Sequence, residues 1–175
     1  FRIHPPSFFQ TNTAGAELLY GRIREAAALS ADSRVLGLYC GSGAIELSLA
    51  GAAGQVTGVD VSPVNIANAV ENALVNGIGN AAFLPGTVES LLEGPHRPPA
   101  DVVVVDPPRA GLTGRALDQV VRVGAPRIVY VSCNPATLVR DLRVFVGAGY
   151  RISSLSPFDL FPHTSHLETL AVLDR

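Results

Sequence analysis

The sequence predicts an α/β fold: a doubly wound, mostly parallel sheet closed by a C-terminal antiparallel hairpin. Three observations carry that prediction. Short β-branched runs alternate with helix-period segments over residues 14–146. Two helices begin with a capping residue and a proline directly after a strand, at Ser62-Pro63 and Asn134-Pro135. The run Val102-Val103-Val104-Val105 is apolar on both faces, as a strand covered by helices on either side must be.

The elements follow in order. The pattern gives a helix over 14–28, a strand over 34–40 and a helix over 43–50. A second strand, 55–61, leads through Ser62 into a helix that starts at Pro63 and stops near Gly77. A short strand at 81–84, a short helix at 87–92 and a proline-rich loop at 94–99 come next. The strand at 101–105 precedes a helix over 115–123, and the strand at 128–133 precedes a helix over 136–146. Two last strands, 150–155 and 167–173, are joined by a long loop without helical period, so they are expected to pair antiparallel.

Composition bounds the function. The 175 residues suit one domain with a sizeable core, and 47% hydrophobic against 16% charged residues describes a folded chain. No apolar run reaches membrane-spanning length and no leader pattern opens the sequence, so a soluble cytoplasmic protein with no membrane association is expected. There is no methionine, and the chain opens at Phe1; it reads as a portion of a longer protein. A formal charge of −2 argues against a self-sufficient nucleic-acid binder but leaves room for a local basic patch. The two cysteines are too few for a disulfide framework. The doubly wound strand order would set Cys40 and Cys133 two strand spacings apart, about 9–10 Å, too far to bridge.

Leu38-Tyr39-Cys40-Gly41-Ser42-Gly43 follows the first strand and opens a helix; Gly41 and Gly43 let the backbone approach a ligand closely. Asp60 ends the second strand, where a carboxylate can accept both ribose hydroxyls of an adenosine-containing cofactor. Glu46 occupies the place of a third dinucleotide-type glycine, which favours S-adenosylmethionine, a ligand without pyrophosphate, over NAD. A tight turn with a solvated Asp60 is the plain alternative. Asp106-Pro107-Pro108-Arg109 ends the fourth strand; the prolines stiffen the loop and remove two donors. Arg109 can bind phosphate or a base edge, or the loop can hold a structural ion pair.

Cys133 ends an apolar strand and precedes the cap Asn134-Pro135. The adjoining helix amino terminus is expected to favour the thiolate, which makes Cys133 a nucleophile candidate, with a small buried hydrophobe as the plain alternative. Glu168 opens the last strand and is expected to face the same cleft. His163, His166 and Glu168 also allow a metal reading, but their loop offers no regular ligand face, and no metal is expected.

Five motifs, taken in order, resemble the RNA uracil-5-methyltransferase family, which makes 5-methyluridine in tRNA and 23S rRNA. They are Ser7-Phe8-Phe9-Gln10-Thr11-Asn12, the 38–43 turn, Asp106-Pro107-Pro108-Arg109-Ala110-Gly111, Ser132-Cys133-Asn134-Pro135, and Phe161-Pro162-His163-Thr164 with His166-Leu167-Glu168. The resemblance implies a class I, Rossmann-like methyltransferase domain over 1–175. It implies S-adenosyl-L-methionine contacts at Gln10, Tyr39, Asp60 and Asp106, a nucleophile at Cys133 and a general base at Glu168. Addition of the Cys133 thiolate at C6 of a flipped-out uracil would make C5 nucleophilic, and Glu168 would then remove the C5 proton. Family members carry an amino-terminal OB-type RNA-binding domain, and some an iron–sulfur cluster on upstream cysteines. Neither is expected within these residues, so RNA capture is expected to need a missing domain, with no obligate protein partner. Two positions depart from the family: Gly37 replaces a usual acidic residue, and Asp60 is one methylene shorter than the usual glutamate. Two other readings remain: an N- or small-molecule methyltransferase using the 106–108 loop, and a truncated cofactor-binding domain inactive alone.

Overall fold

The computed structural model describes Arg2 and residues 12–93, 97–164 and 167–175. Among these, helices α1 (Thr13–Ala27), α2 (Ala44–Ala50), α3 (Pro63–Val75), α4 (Val88–Glu93), α5 (Gly114–Val123) and α6 (Pro135–Gly147) alternate with strands. The strands are β1 (Arg34–Leu38), β2 (Gln55–Asp60), β3 (Ala81–Pro85), β4 (Val102–Val105), β5 (Arg127–Ser132), β6 (Arg151–Phe158) and β7 (Glu168–Asp174). They form one sheet in the order β3-β2-β1-β4-β5-β7-β6. The first five strands are parallel, and β7 runs antiparallel between β5 and β6. This is the doubly wound sheet with the closing hairpin that the sequence predicts.

The helices form where the sequence caps them. Ser62 accepts from the Asn65 N–H and Asn134 from the Ala136 N–H, each followed by proline at the first helical position. Asn12 caps α1, and its amide also donates to Leu160 O at 3.0 Å, tying the β6–β7 loop to α1. Side chains alternate across the central strands. Val103 and Val105 pack with Leu117, Leu138 and Phe145, while Val102 and Val104 pack with Leu19, Ile23, Ile45 and Leu49 on the other face. Each such buried valine contributes about 1.5–3 kcal/mol.

Most element ends shift by a residue or two from the sequence expectation, and three of these differences have a visible cause. β1 stops at Leu38 because Tyr39 takes a φ of 63°, which turns the chain out of the sheet. Tyr150 stays outside β6: its ring packs edge-on against Phe145 at 6.0 Å, and its hydroxyl donates to Ala125 O at 2.8 Å. β6 then runs past Leu155 to Phe158, opposite Glu168, and Pro157 is tolerated because β6 is an edge strand.

The strand order reverses between β1 and β4, and ligands bind such sheets in the crevice outside the carboxyl ends at that point. The 39–43 turn, Asp60, Asp106 and Cys133 all follow parallel strands at this end. Because β7 is antiparallel, its first residue reaches the same end. Ser132 pairs with Thr169, which brings the next residues outward, Cys133 and Glu168, to one edge of the crevice. Cys40 and Cys133 are both free thiols, and each follows a strand, β1 or β5, on either side of β4. No helix among the described residues is long and apolar enough to cross a membrane.

Candidate active site

A cavity of about 600 Å³ opens at this end of the sheet. Residues 39–42 of the turn after β1 form part of its wall. Tyr39 is left-handed (φ 63°), a conformation that costs a non-glycine residue about 1–2 kcal/mol and recurs at ligand sites. The Cys40 N–H donates to Val59 O (3.0 Å), and the Gly43 N–H to Cys40 O (2.9 Å). Gly41 lines the cavity at φ 53°, and a Cβ there would meet nothing within 4 Å, so its backbone is open to a ligand. Gly43 is not on the wall. A Cβ at that position would stand 2.9 Å from the Phe83 ring, so this glycine lets α2 seat against β3.

The Asp60 carboxylate is heavily engaged. Oδ2 accepts the Gly41 N–H at 3.0 Å, and Oδ1 accepts the Ser62 N–H at 2.8 Å and Asn65 Nδ2 at 3.1 Å. A carboxylate offers about four acceptor positions. Three are taken, so the expectation that Asp60 receives both ribose hydroxyls narrows to one, on Oδ2. The residue is also the brace that fixes the turn.

The 106–112 loop is fastened to α6. Arg109 O accepts Asn134 Nδ2 (3.1 Å) and Thr137 Oγ1 (3.3 Å). Arg140 Nη2 donates to Ala110 O (3.0 Å) and Leu112 O (2.8 Å). Asp141, fully buried, accepts the Leu112 N–H (2.9 Å) and the Tyr130 hydroxyl (2.7 Å). Gly111 makes the approach possible: a Cβ would lie 2.7 Å from both the Arg140 and Asp141 side chains. Ser132 Oγ accepts the Asn134 N–H at 3.2 Å and shapes the turn that presents Cys133. One helix thus holds both the Asp106 loop and the thiol.

The electrostatics are acidic. Burial, then Glu168, pushes Asp106 up to about 7. Burial also raises Glu168. Cys133 is raised by burial, then by Glu168, while the Arg109 guanidinium pulls the other way. This reverses the expectation that the helix amino terminus would favour the thiolate. Pro135 has no N–H, and the Ala136 N–H is bonded to the cap Asn134 at 3.1 Å, so those donors are unavailable to sulfur.

The cavity brings together Tyr39, Gly41, Asp60, Asp106, Arg109, Cys133 and Glu168. Gln10 lies outside the described residues, as does His166 of the metal reading. Among the described residues no group of three His, Cys, Asp or Glu side chains is placed to hold a metal ion. The sequence reading missed five wall residues: Leu19 and Tyr20 from α1, Ala44 and Ile45 from α2, and Asn65 from α3. Asn65 carries a signal, its place in the first turn of the helix that follows Asp60; Leu19 and Tyr20 are indistinguishable in sequence from core residues of α1. Open backbone at Gly41, carboxyls at Asp60, Asp106 and Glu168, and apolar Leu19 and Ile45 fit an adenosine-bearing ligand with a cationic centre, as S-adenosylmethionine is.

Comparison with known proteins bears on the family and the fold. A family model described as tRNA (uracil-5-)-methyltransferase matches residues 99–175, and one described as a methyltransferase domain matches 35–127. An uncharacterized RNA methyltransferase of Caldanaerobacter subterraneus is 42% identical over 175 residues, covering 100% of this chain and 39% of the relative. One from Gloeobacter violaceus is 45% identical, covering 100% and 38%. The chain thus spans about two-fifths of the length of these relatives. The crystal structure of Pyrococcus abyssi tRNA (uracil-54, C5)-methyltransferase with S-adenosyl-L-homocysteine superposes with a TM-score of 0.84 at 36% identity, over 98% of this chain and 41% of that one. With the Asp106 loop, Cys133 and Glu168 inside the matched segment, the chain belongs to the RNA uracil-5-methyltransferase family and carries its class I, S-adenosylmethionine-dependent methyltransferase fold.

Proposed function

We propose that residues 1–175 are the catalytic domain of an enzyme that methylates C5 of a uridine in tRNA or rRNA, with Cys133 as nucleophile and Glu168 as general base. The observation that carries this reading is the meeting of a partly exposed thiol and a buried carboxyl in the cavity that also holds the 39–43 turn. Tyr39, Gly41, Asp60 and Asp106 hold the cofactor, together with Gln10. S-adenosylmethionine supplies, when bound, the electrophilic methyl group that an activated C5 can take.

The chain's own residues do the rest. Arg109, exposed at the cavity rim, takes a phosphate or a base edge of the flipped nucleotide and stabilises the thiolate. The Cys133 proton leaves to water through the open mouth, because Glu168 must stay free for the later step. Sγ adds to C6, which places a pair of electrons on C5. After methylation Glu168 accepts the C5 proton, the Sγ–C6 bond breaks, and the thiolate is restored. The raised affinity of Glu168 for a proton suits this role. RNA capture relies on the rest of a longer protein, a reading supported by the length of the relatives and by the formal charge of −2 on this chain.

The test is RNA carrying 5-fluorouridine, whose fluorine cannot leave as a proton. The full-length protein with S-adenosylmethionine should form a covalent complex that survives a denaturing gel and maps to Cys133. Methyl transfer without that complex, or onto a nitrogen, would overturn the reading.

A further inference from the structure

Glu46 is a buried acid that the proposed chemistry leaves unused. It lies in the first turn of α2, is 2% exposed, and its Oε2 has no hydrogen-bond partner. Its side chain is pressed against β1. A Cβ at Gly37 would come within 2.7 Å of Glu46 Cγ and Cδ, and nearer still to Oε1, so the carboxyl fills the volume that a side chain at position 37 would take. A buried carboxyl oxygen without a partner is costly, and native chains keep one where a ligand or strain gives it a use.

The groups that face Glu46 identify the ligand. They are Asp106 after β4, Asp60 at the end of β2, Cys40 in the turn and Tyr20 on α1. All four line the cavity, so Glu46 stands directly behind its wall, and no cation contributes to its titration. Burial pushes the carboxyl up to about 8, with Asp106 and Asp60 adding to it against one backbone hydrogen bond. The acid is therefore stored neutral at pH 7, short of a positive charge. S-adenosylmethionine brings one in the ammonium of its methionine part.

We propose that Glu46 is a positioning residue for the cofactor: from α2, through the space left open by Gly37, it supplies the carboxylate that meets the cofactor's ammonium group. On binding, its O–H bond breaks and the proton passes to the solvent. The inference rests on the S-adenosylmethionine reading above, and it accounts for the departure at Gly37, since the acid arrives from the helix instead of the strand.

Calorimetric titration of this chain with S-adenosylhomocysteine at pH 7, in two buffers of different ionisation enthalpy, tests it. Wild type should release protons on binding. Glu46→Gln, which keeps the shape, should release fewer and bind about tenfold more weakly or worse. 5′-Methylthioadenosine lacks the ammonium, so the same substitution should leave its affinity nearly unchanged. The exchange Gly37→Asp with Glu46→Ser should recover most of the lost affinity. A folded Glu46→Gln that binds S-adenosylhomocysteine like wild type, with the same proton count, overturns the inference and leaves the methyltransferase reading standing. Equal weakening towards methylthioadenosine would reduce Glu46 to a packing residue and overturn it too. Absence of S-adenosylhomocysteine binding by wild type would sink the cofactor reading and this inference with it.

Discussion

Cys40 and Cys133 occupy matching places in the fold and differ in chemistry. Each follows a parallel strand, β1 or β5, on either side of β4, and each lines the same cavity. Burial dominates at both, but the other neighbours differ. Cys40 has Glu46 and Asp60 beside it and its Sγ reaches only Gly41 O at 3.9 Å, so its thiol is driven far above the ordinary range. Cys133 faces Glu168 and Asp106 but also Arg109, and its shift is smaller. Topology delivers a thiol to the crevice twice; the depth of burial, and after it the local balance of charge, decides which can ionise. The fold supplies the place; the neighbours supply the chemistry.

The largest expected effect breaks the symmetry outright. Cys133→Ala should abolish the 5-fluorouridine adduct and turnover while leaving S-adenosylhomocysteine binding intact. Cys40→Ala should retain both within about threefold and lose about 1–2 kcal/mol of stability from the packing it leaves against the Phe83 side of the turn. Adduct formation on the gel and thermal melting check the two arms, and turnover by Cys133→Ala would end the assignment. Next in size is Glu168→Gln. The loss of a general base lowers turnover by about 10²–10⁴. The methylated adduct should accumulate as a shifted protein–RNA band, since C6 cannot be released before the C5 proton leaves. Normal release by this variant would mean that another group takes the proton.

How much of this was legible in sequence follows from the range of each interaction. The β-branched runs and the Ser62 and Asn134 caps are local, and the structure places them as read, with strand ends shifted by up to three residues. The sign at Cys133 is set by burial and by Glu168, which only the fold brings to the thiol, and the Asn134 cap, which bonds its own helix donor, leaves little to oppose them. Asp60 was found, but not its three protein partners, because the Gly41 bond crosses from β2 to the turn after β1. Glu46 filling the space at Gly37 is a helix–strand contact that no periodicity marks. The fastening of the 106–112 loop by Thr137, Arg140 and Asp141 was missed for the same reason, since those residues read as an ordinary polar helix face.

That fastening gives the third prediction, which tests whether Cys133 owes its advantage to a fixed loop. Asp141→Ala strands the Leu112 N–H and the Tyr130 hydroxyl, both buried. It should cost about 3 kcal/mol, a fall of roughly 6–12 °C in Tm for a domain of this size. The rate of adduct formation should drop with it, because Arg109 and Asp106 lose their fixed relation to the thiol. Unchanged melting would show that the Asn134, Thr137 and Arg140 bonds hold the loop without Asp141.

The smallest effect addresses the charge itself. The Arg109 guanidinium is the group holding Cys133 down against Glu168 and Asp106, so Arg109→Ala should raise the thiol further and leave less thiolate at any pH below its midpoint. Arg109 is exposed, which limits the interaction to about 0.2–1 kcal/mol, or a fall of about 1.4- to fivefold in alkylation of Cys133 by iodoacetamide at pH 8. The deficit should close as pH rises through the thiol's midpoint. High salt should slow wild type in the same way, because it screens the same charge. Cys40 has no cation to lose, so its alkylation should be slow in both proteins and follow unfolding alone. Faster labelling of Cys40 than of Cys133, or equal Cys133 rates with and without Arg109, would mean that exposure alone separates the two thiols.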